Sequence, residues 1–270
     1  MLGGLSRRAW WIKKQRRQGR LDLLVDGGAC LFEQVPLESA QDRQKAAFIA
    51  DMYRRLGYKA VCVGSRDLAA GVDFLLDLNK RGMPFISANL YYQGRRPFPP
   101  YRVFTLKGLR IGVTALTSGA VPLRTPGRDE ILVKGFQEVL PGMMDRFREE
   151  ADFLVLLSNL PPGTERKLLE KWPQFDLVIS SGRVGATKSP VITMGRPLVS
   201  ASALGKSMGL VTLLAAKGQP DGRDPDGLIV KVTSQDFRLT DKIPEDKAAA
   251  HRIKAFLRRL KFGSADALGD

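Results

Sequence analysis

Apolar positions along this chain switch repeatedly between a helical and a strand-like spacing, and the switches lay out its elements. The first spacing predicts a basic amphipathic helix over residues 5–18. A short apolar run at 21–25 ends in Asp26-Gly27-Gly28, which reads as a buried strand followed by a turn. A helix over 39–56 follows, with Gly57 placed to cap it. Strand 59–63, helix 67–80 and strand 85–88 come next. The runs at 101–106 and 109–116 meet through Lys107-Gly108 and predict a hairpin, and 119–129 reads as a loop. A helix over 139–150 leads into the strongest strand, 153–158, then helix 164–172 and strand 177–180. Strand-like runs at 191–193, 198–201, 210–215 and 228–233 follow, with a surface loop at 218–227. A basic helix over 245–260 precedes a tail expected to fray beyond Phe262. Strands alternating with helices argue for an α/β layered fold, and the hairpin and late strands make its sheets mixed.

Composition narrows this picture little. The 270 residues suffice for one large domain with a core that needs no staples. Cys30 and Cys62 are too few for a disulfide framework, and their spacing is no zinc signature. No stretch of eighteen apolar residues is present to span a bilayer, and the segment after Met1 lacks the apolar core of a signal peptide. The net charge of +15 does change the picture. It implies attraction to anions, whether nucleic acid, anionic lipid or phosphorylated ligands, without choosing among them.

Ligand sites in open α/β sheets lie at the carboxyl ends of strands. Four such ends carry informative text: Leu24-Val25-Asp26-Gly27-Gly28-Ala29, Val63-Gly64-Ser65-Arg66-Asp67, Leu156-Leu157-Ser158-Asn159-Leu160, and Ile179-Ser180-Ser181-Gly182-Arg183-Val184-Gly185. Their order and spacing resemble the calcineurin-like metallophosphoesterases, and within them the N-terminal domain of 5′-nucleotidases. There the four places read D-x-G-D, G-N-H-E, S-H and G-H-x-H. Further segments fit the same pattern: Gly3-Gly4-Leu5-Ser6-Arg7-Arg8-Ala9, Phe85-Ile86-Ser87-Ala88-Asn89-Leu90, residues 109–117, and Leu204-Gly205-Lys206-Ser207-Met208-Gly209. The resemblance implies an αββα sandwich over residues 1–240, with 241–270 as a basic helix and tail.

It also implies chemistry in which two divalent cations clamp a phosphate and activate a water. Carried over position by position, the ligands fail. Ala29, or its neighbour Cys30, stands for the bridging aspartate. Ser65 and Arg66 stand for the asparagine and histidine of the second motif. Asn159 replaces the next histidine, and Arg183 and Gly185 the last pair. Asp67 keeps a carboxylate at a position that is not a metal ligand. The only histidine, His251, falls in the last helix and reads as a surface residue. The expectation is therefore a degenerate domain, a pseudoenzyme without resident metal ions. The alternative is an active phosphoester hydrolase whose ligands are supplied upstream.

Guanidinium forks grip phosphate bidentately, so Arg66 and Arg183, with Ser65 and Asn159, form a candidate anion site to which Thr187 and Lys188 add donors. The competing reading has Arg66 paired with Asp67 or Asp26, filling vacated space. Cys30 is a candidate redox thiol, with Arg66 near enough to lower its pKa, and a bacterial subgroup of 5′-nucleotidase-like proteins carries cysteine or selenocysteine in this neighbourhood. The competing reading is a small buried hydrophobe, which describes Cys62 as well.

Arg7, Arg8, Lys13, Lys14, Arg16, Arg17 and Arg20 crowd the first helix; Arg252, Lys254, Arg258, Arg259 and Lys261 crowd the last. Such helices bind an anionic membrane surface or nucleic acid, or pack an apolar stripe on the domain and leave the charge solvated. The first helix is expected to pack in that way. In the last, Ile253, Phe256, Leu257 and Leu260 make the stripe, free to dock on the sheet or on lipid. The family's first strand has no counterpart after Met1. That points to an upstream start, with export, or to a chain that begins at Met1 and stays cytoplasmic.

Overall fold

The computed structural model describes residues 4–181, 185–217 and 228–262. The loop expected at 218–227, the tail beyond Phe262 and Arg183 lie outside the described residues. In chain order the elements are α1 (Leu5–Arg17), β1 (Val25–Asp26), α2 (Ala40–Leu56), β2 (Ala60–Cys62), α3 (Val72–Lys80), β3 (Phe85–Ile86), β4 (Leu90–Tyr92), β5 (Tyr101–Leu106), β6 (Leu109–Leu116), β7 (Ile131–Val133), α4 (Phe136–Val139), α5 (Met144–Glu150), β8 (Phe153–Ser158), α6 (Thr164–Lys171), β9 (Leu177–Ser180), β10 (Val191–Thr193), β11 (Arg196–Val199), β12 (Ser207–Lys217), β13 (Leu228–Arg238) and α7 (Lys247–Phe262).

Two sheets stack face to face. One is parallel, in the order β1-β2-β3; the other is mixed, in the order β10-β11-β9-β8-β6-β5, with β6, β8, β9 and β11 parallel. Strand β8 shows why they stack. It is buried at all six positions because its alternate side chains serve two cores. Phe153, Val155 and Leu157 meet Ala60, Cys62 and Ile86 of the first sheet, while Leu154 and Leu156 meet α4, α5 and α6. Helices α1, α2 and α3 cover the outer face of the first sheet. The result is the four-layer αββα sandwich with mixed sheets that the sequence implies. The β12–β13 hairpin packs Val211, Leu213 and Val232 against the inter-sheet core.

The hairpin β5–β6 and strands β8 and β9 match their expected bounds. Elsewhere the structure corrects the reading. The helix expected over 67–80 is a 3-10 turn, Ser65–Ala70, and then α3. The break falls at Gly71, whose φ of +88° is left-handed and whose added Cβ would lie 3.1 Å from the Pro126 carbonyl. The helix expected over 139–150 splits into α4 and α5 around Pro141, which has no N–H to continue a ladder. The run at 21–25 forms a ladder only where Val25 and Asp26 pair with Ala60 and Val61. Strands β4 and β7, which pair antiparallel, have no counterpart in the sequence reading.

In α7 the buried stripe is Ala249, Ile253, Phe256 and Leu260, at helical spacing. It docks on the helix layer, not the sheet, and Phe256 stacks on Phe48 of α2 at 4.2 Å. Leu257, counted with that stripe in the sequence, turns outward and is 50% exposed.

Candidate functional site

The parallel strands end side by side, and tight turns bring their loops into backbone contact. After β1, Gly28 and Ala29 both adopt positive φ, folding the chain onto the end of β2. A Cβ on Gly28 would lie 2.6 Å from the Cys62 carbonyl, and one on Gly64 would lie 2.1 Å from the Ala29 nitrogen. Only glycine permits so close an approach.

Asp67, fully buried, holds these loops together. Its Oδ2 accepts the N–H groups of Ala29 (2.8 Å) and Gly64 (2.9 Å), and its Oδ1 that of Leu31 (2.9 Å). Burial pushes its carboxyl up to about 6 despite these three donors, and the nearby Asp26 adds to the rise.

Asn159 ties the second sheet in. Its Oδ1 accepts the Ser65 N–H at 2.8 Å, and its Nδ2 donates to Ser181 Oγ at 2.9 Å. The Ser181 hydroxyl donates in turn to the Gly27 carbonyl at 2.7 Å. Four strand ends are thus closed by neutral hydrogen bonds through Gly27, Ser65, Asn159 and Ser181. Below this network, Glu165 is buried, and its Oε1 accepts the hydroxyls of Ser158 (3.1 Å) and Ser180 (2.7 Å).

The structure therefore brings Ala29, Ser65 and Asn159 together but turns other candidates away. Arg66 is partly exposed and donates to the Glu33 carbonyl at 3.1 Å. Its expected ion pair with Asp67 or Asp26 is not formed, because both carboxylates are engaged elsewhere. Gly185 and Thr187 are bound to Ser200, away from the network: Ser200 Oγ donates to the Gly185 carbonyl at 2.7 Å and the Ser200 N–H to Thr187 Oγ1 at 3.0 Å. Lys188 is exposed. Sequence reasoning gave no role to Ser181 or Glu165. Ser181 lay within a quoted segment, but nothing local marked either as a bridge.

Asp26 belongs to a second cluster under the first sheet. Arg8 Nη1 donates to the Tyr53 hydroxyl (2.7 Å), which donates to Asp26 Oδ2 (2.9 Å), while the Gly28 N–H reaches Asp26 Oδ1 (2.9 Å). Burial raises the Asp26 carboxyl, with Arg8 opposing. Cys30 packs at this cluster's edge, half-buried against the apolar core. Burial pushes its thiol well above 9.0, and the carboxylates of Asp67 and Asp26 push the same way. The expected lowering by Arg66 is thus reversed: the nearest charges are negative, and Arg66 points to Glu33.

The residues present do not fit two divalent cations. Both Asp67 oxygens and the Asn159 carbonyl already accept backbone N–H groups, and Ala29 offers no side-chain donor atom. Among the described residues no group of three His, Cys, Asp or Glu converges. The sole imidazole, His251, is exposed on α7.

No family model matches the chain. Individual relatives do. It is 24% identical to the 5′-nucleotidase of Bos taurus over 99% of this chain and 49% of that protein, and 24% identical to the snake venom 5′-nucleotidase of Naja atra over 96% and 51%. The chain spans about half the length of the curated relatives it matches. Among solved structures, the sulfate thiohydrolase SoxB of Thermus thermophilus superposes with a TM-score of 0.80 at 19% identity, covering 95% of this chain and 47% of that one. A 5′-nucleotidase precursor of the same organism gives a TM-score of 0.76 at 19% identity, over 96% and 54%. In sequence this chain is similar to 5′-nucleotidases, and its αββα layers share the fold of the solved 5′-nucleotidase and SoxB structures.

Proposed function

We propose that this phosphoesterase-like domain, residues 1–240 with the basic helix α7 docked on it, works by binding and not by two-metal hydrolysis. One observation carries the reading: the strand ends where such a centre would sit are joined by the Gly27–Ser181–Asn159–Ser65 network and by Asp67, so their donor atoms are spent on the fold. The ligand class that suits the remaining charge is a phosphate or phosphorylated small molecule at the rim. There Arg66 carries a half-exposed guanidinium with a single hydrogen-bond partner, the Glu33 carbonyl, among the described residues. Arg183, two positions after Ser181 in the sequence, is the second cation of this proposal.

The test joins metal analysis of the purified chain to an assay with a generic phosphate monoester and with AMP, in the presence of manganese, zinc or magnesium. No turnover is expected. Stoichiometric bound metal with turnover would overturn the reading in favour of an active hydrolase. Calorimetric titration with phosphate and AMP tests the ligand class; parent-like binding by Arg66→Ala and Arg183→Ala would remove the rim from it.

A further inference from the structure

Helices α1 and α7 lie against each other in the outer layer, and neither contains a single Asp or Glu. Two ion pairs at their junction, Arg7 with Glu245 (3.6 Å) and Lys13 with Asp246 (2.5 Å), use acids that precede α7. Beyond them, Arg17, Arg252, Lys254, Arg258 and Arg259 are exposed and pair with no carboxylate among the described residues. At 1.5 Å per residue, Arg252 to Arg259 spread this charge over about 10 Å of α7.

Apolar surface lies on both flanks of this charge. Leu257 stands 50% exposed beside Arg258, about 140° around α7 from Arg252. On α1, Lys14 Nζ lies 5.1 Å from the ring centre of Trp10, which is half-buried at the surface. Between α2 and α7 runs a groove of about 550 Å³. Its floor is the Phe48–Phe256 stack with Ala248 and Ala255, and its rim carries Arg252 and Arg259. Asp51, on the α2 side, is committed to Arg54 (2.7 Å) and Arg55 (2.6 Å). No helix among the described residues is long and apolar enough to cross a membrane.

We propose that the α2–α7 face docks on the surface of an anionic phospholipid bilayer, Arg252 and Arg259 meeting headgroup phosphates and the groove between the two helices meeting the acyl boundary. Charge complementarity selects an anionic partner, and the interleaved apolar surface selects lipid over nucleic acid. A polynucleotide would satisfy the arginines but leave the aromatic floor against water. The inference stands whether or not the strand-end network binds a ligand.

The experiment is co-sedimentation of the full chain with vesicles of phosphatidylcholine alone and of phosphatidylcholine mixed with phosphatidylglycerol. Binding is expected only to the mixed vesicles, falling as salt is raised. The double variant Arg252→Glu/Arg259→Glu should lower partitioning at least about tenfold, from the loss of attraction per surface cation. These side chains are exposed, so the thermal midpoint should stay at the parent value; Lys254→Glu/Arg258→Glu, which makes the same charge change away from the groove, should lower partitioning less. Ala255→Gln, at the groove wall, should weaken vesicle binding and leave binding to a single-stranded oligonucleotide unchanged. Equal binding to both vesicle types, parent-like binding by Arg252→Glu/Arg259→Glu, or oligonucleotide binding tighter than vesicle binding with vesicle binding indifferent to Ala255→Gln would each overturn the proposal.

Discussion

The Ser65 N–H donates to Oδ1 of Asn159 at 2.8 Å, and this bond joins the loop after β2 in one sheet to the end of β8 in the other. With the Nδ2 bond to Ser181, it makes Asn159 a bridge between layers. Asn159→Ala strands the Ser65 N–H and takes a donor from Ser181 in a largely buried setting. A loss of about 2 kcal/mol in unfolding free energy is expected, measured by urea titration with an unchanged m-value. A change within a few tenths of a kcal/mol would mean the bridge is not structural.

Asp67 gives the fold a pH dependence of definite sign. Its folded pKa, about 6, lies above the ordinary value of 3.8, because burial disfavours the charged form. A group raised in this way contributes its stability fully below pH 3.8 and loses it as pH climbs through 6. At 1.36 kcal/mol per pH unit, the swing is about 3 kcal/mol. Asp67→Asn cannot titrate, and its amide turns a donor toward the N–H groups of Ala29 and Gly64 or of Leu31. The variant should be less stable than the parent throughout, with a gap that narrows as pH rises from 4 to 7. Urea unfolding at several pH values reads the gap; one that widens with pH would contradict the sign.

The two glycines Gly64 and Gly142 should respond oppositely to alanine. A Cβ at Gly64 would sit 2.1 Å from the Ala29 backbone nitrogen, which no side-chain rotation relieves, whereas nothing lies within 4 Å of one at Gly142. Gly64→Ala is expected to cost about 4 kcal/mol or more, or to prevent folding, and Gly142→Ala to fall within about 0.5 kcal/mol of the parent. Thermal unfolding of the pair decides. A parent-like Gly64→Ala would mean that the β1 and β2 loops separate easily.

What the sequence disclosed follows the range of the forces involved. The β5–β6 hairpin, β8 and β9 are legible because their own apolar runs, filled on both faces in β8, leave one solution. The break at Gly71 depends on Pro126 crowding it from a distant loop, so no local signal separates α3 from the 3-10 turn. At the site, Asn159 was legible as a strand-end residue, but its partners Ser65 and Ser181 come from other strands. Asp67 read as a leftover carboxylate, since its three N–H donors come from two loops that meet only in the fold. The direction of the Cys30 shift was missed for the same reason: it depends on Asp67 and Asp26, which the sequence does not place beside it.

That shift carries the last prediction. A thiolate is the reactive form of cysteine, and Cys30 is held protonated by burial and by two carboxylates, with Arg8 and the Tyr53 hydroxyl opposing. In the native chain near pH 8, alkylation of Cys30 should run at least about a hundredfold slower than in urea, the thiolate fraction and access both being reduced. Peptide mapping by mass spectrometry separates it from Cys62, which is fully buried and shifted upward as well, by burial first and then by Asp67. Asp67→Asn removes one of the opposing charges and should raise the Cys30 rate while the chain stays folded. Fast native labelling near neutral pH, unaffected by Asp67→Asn, would restore a reactive thiol at this strand end and with it the redox role that the geometry argues against.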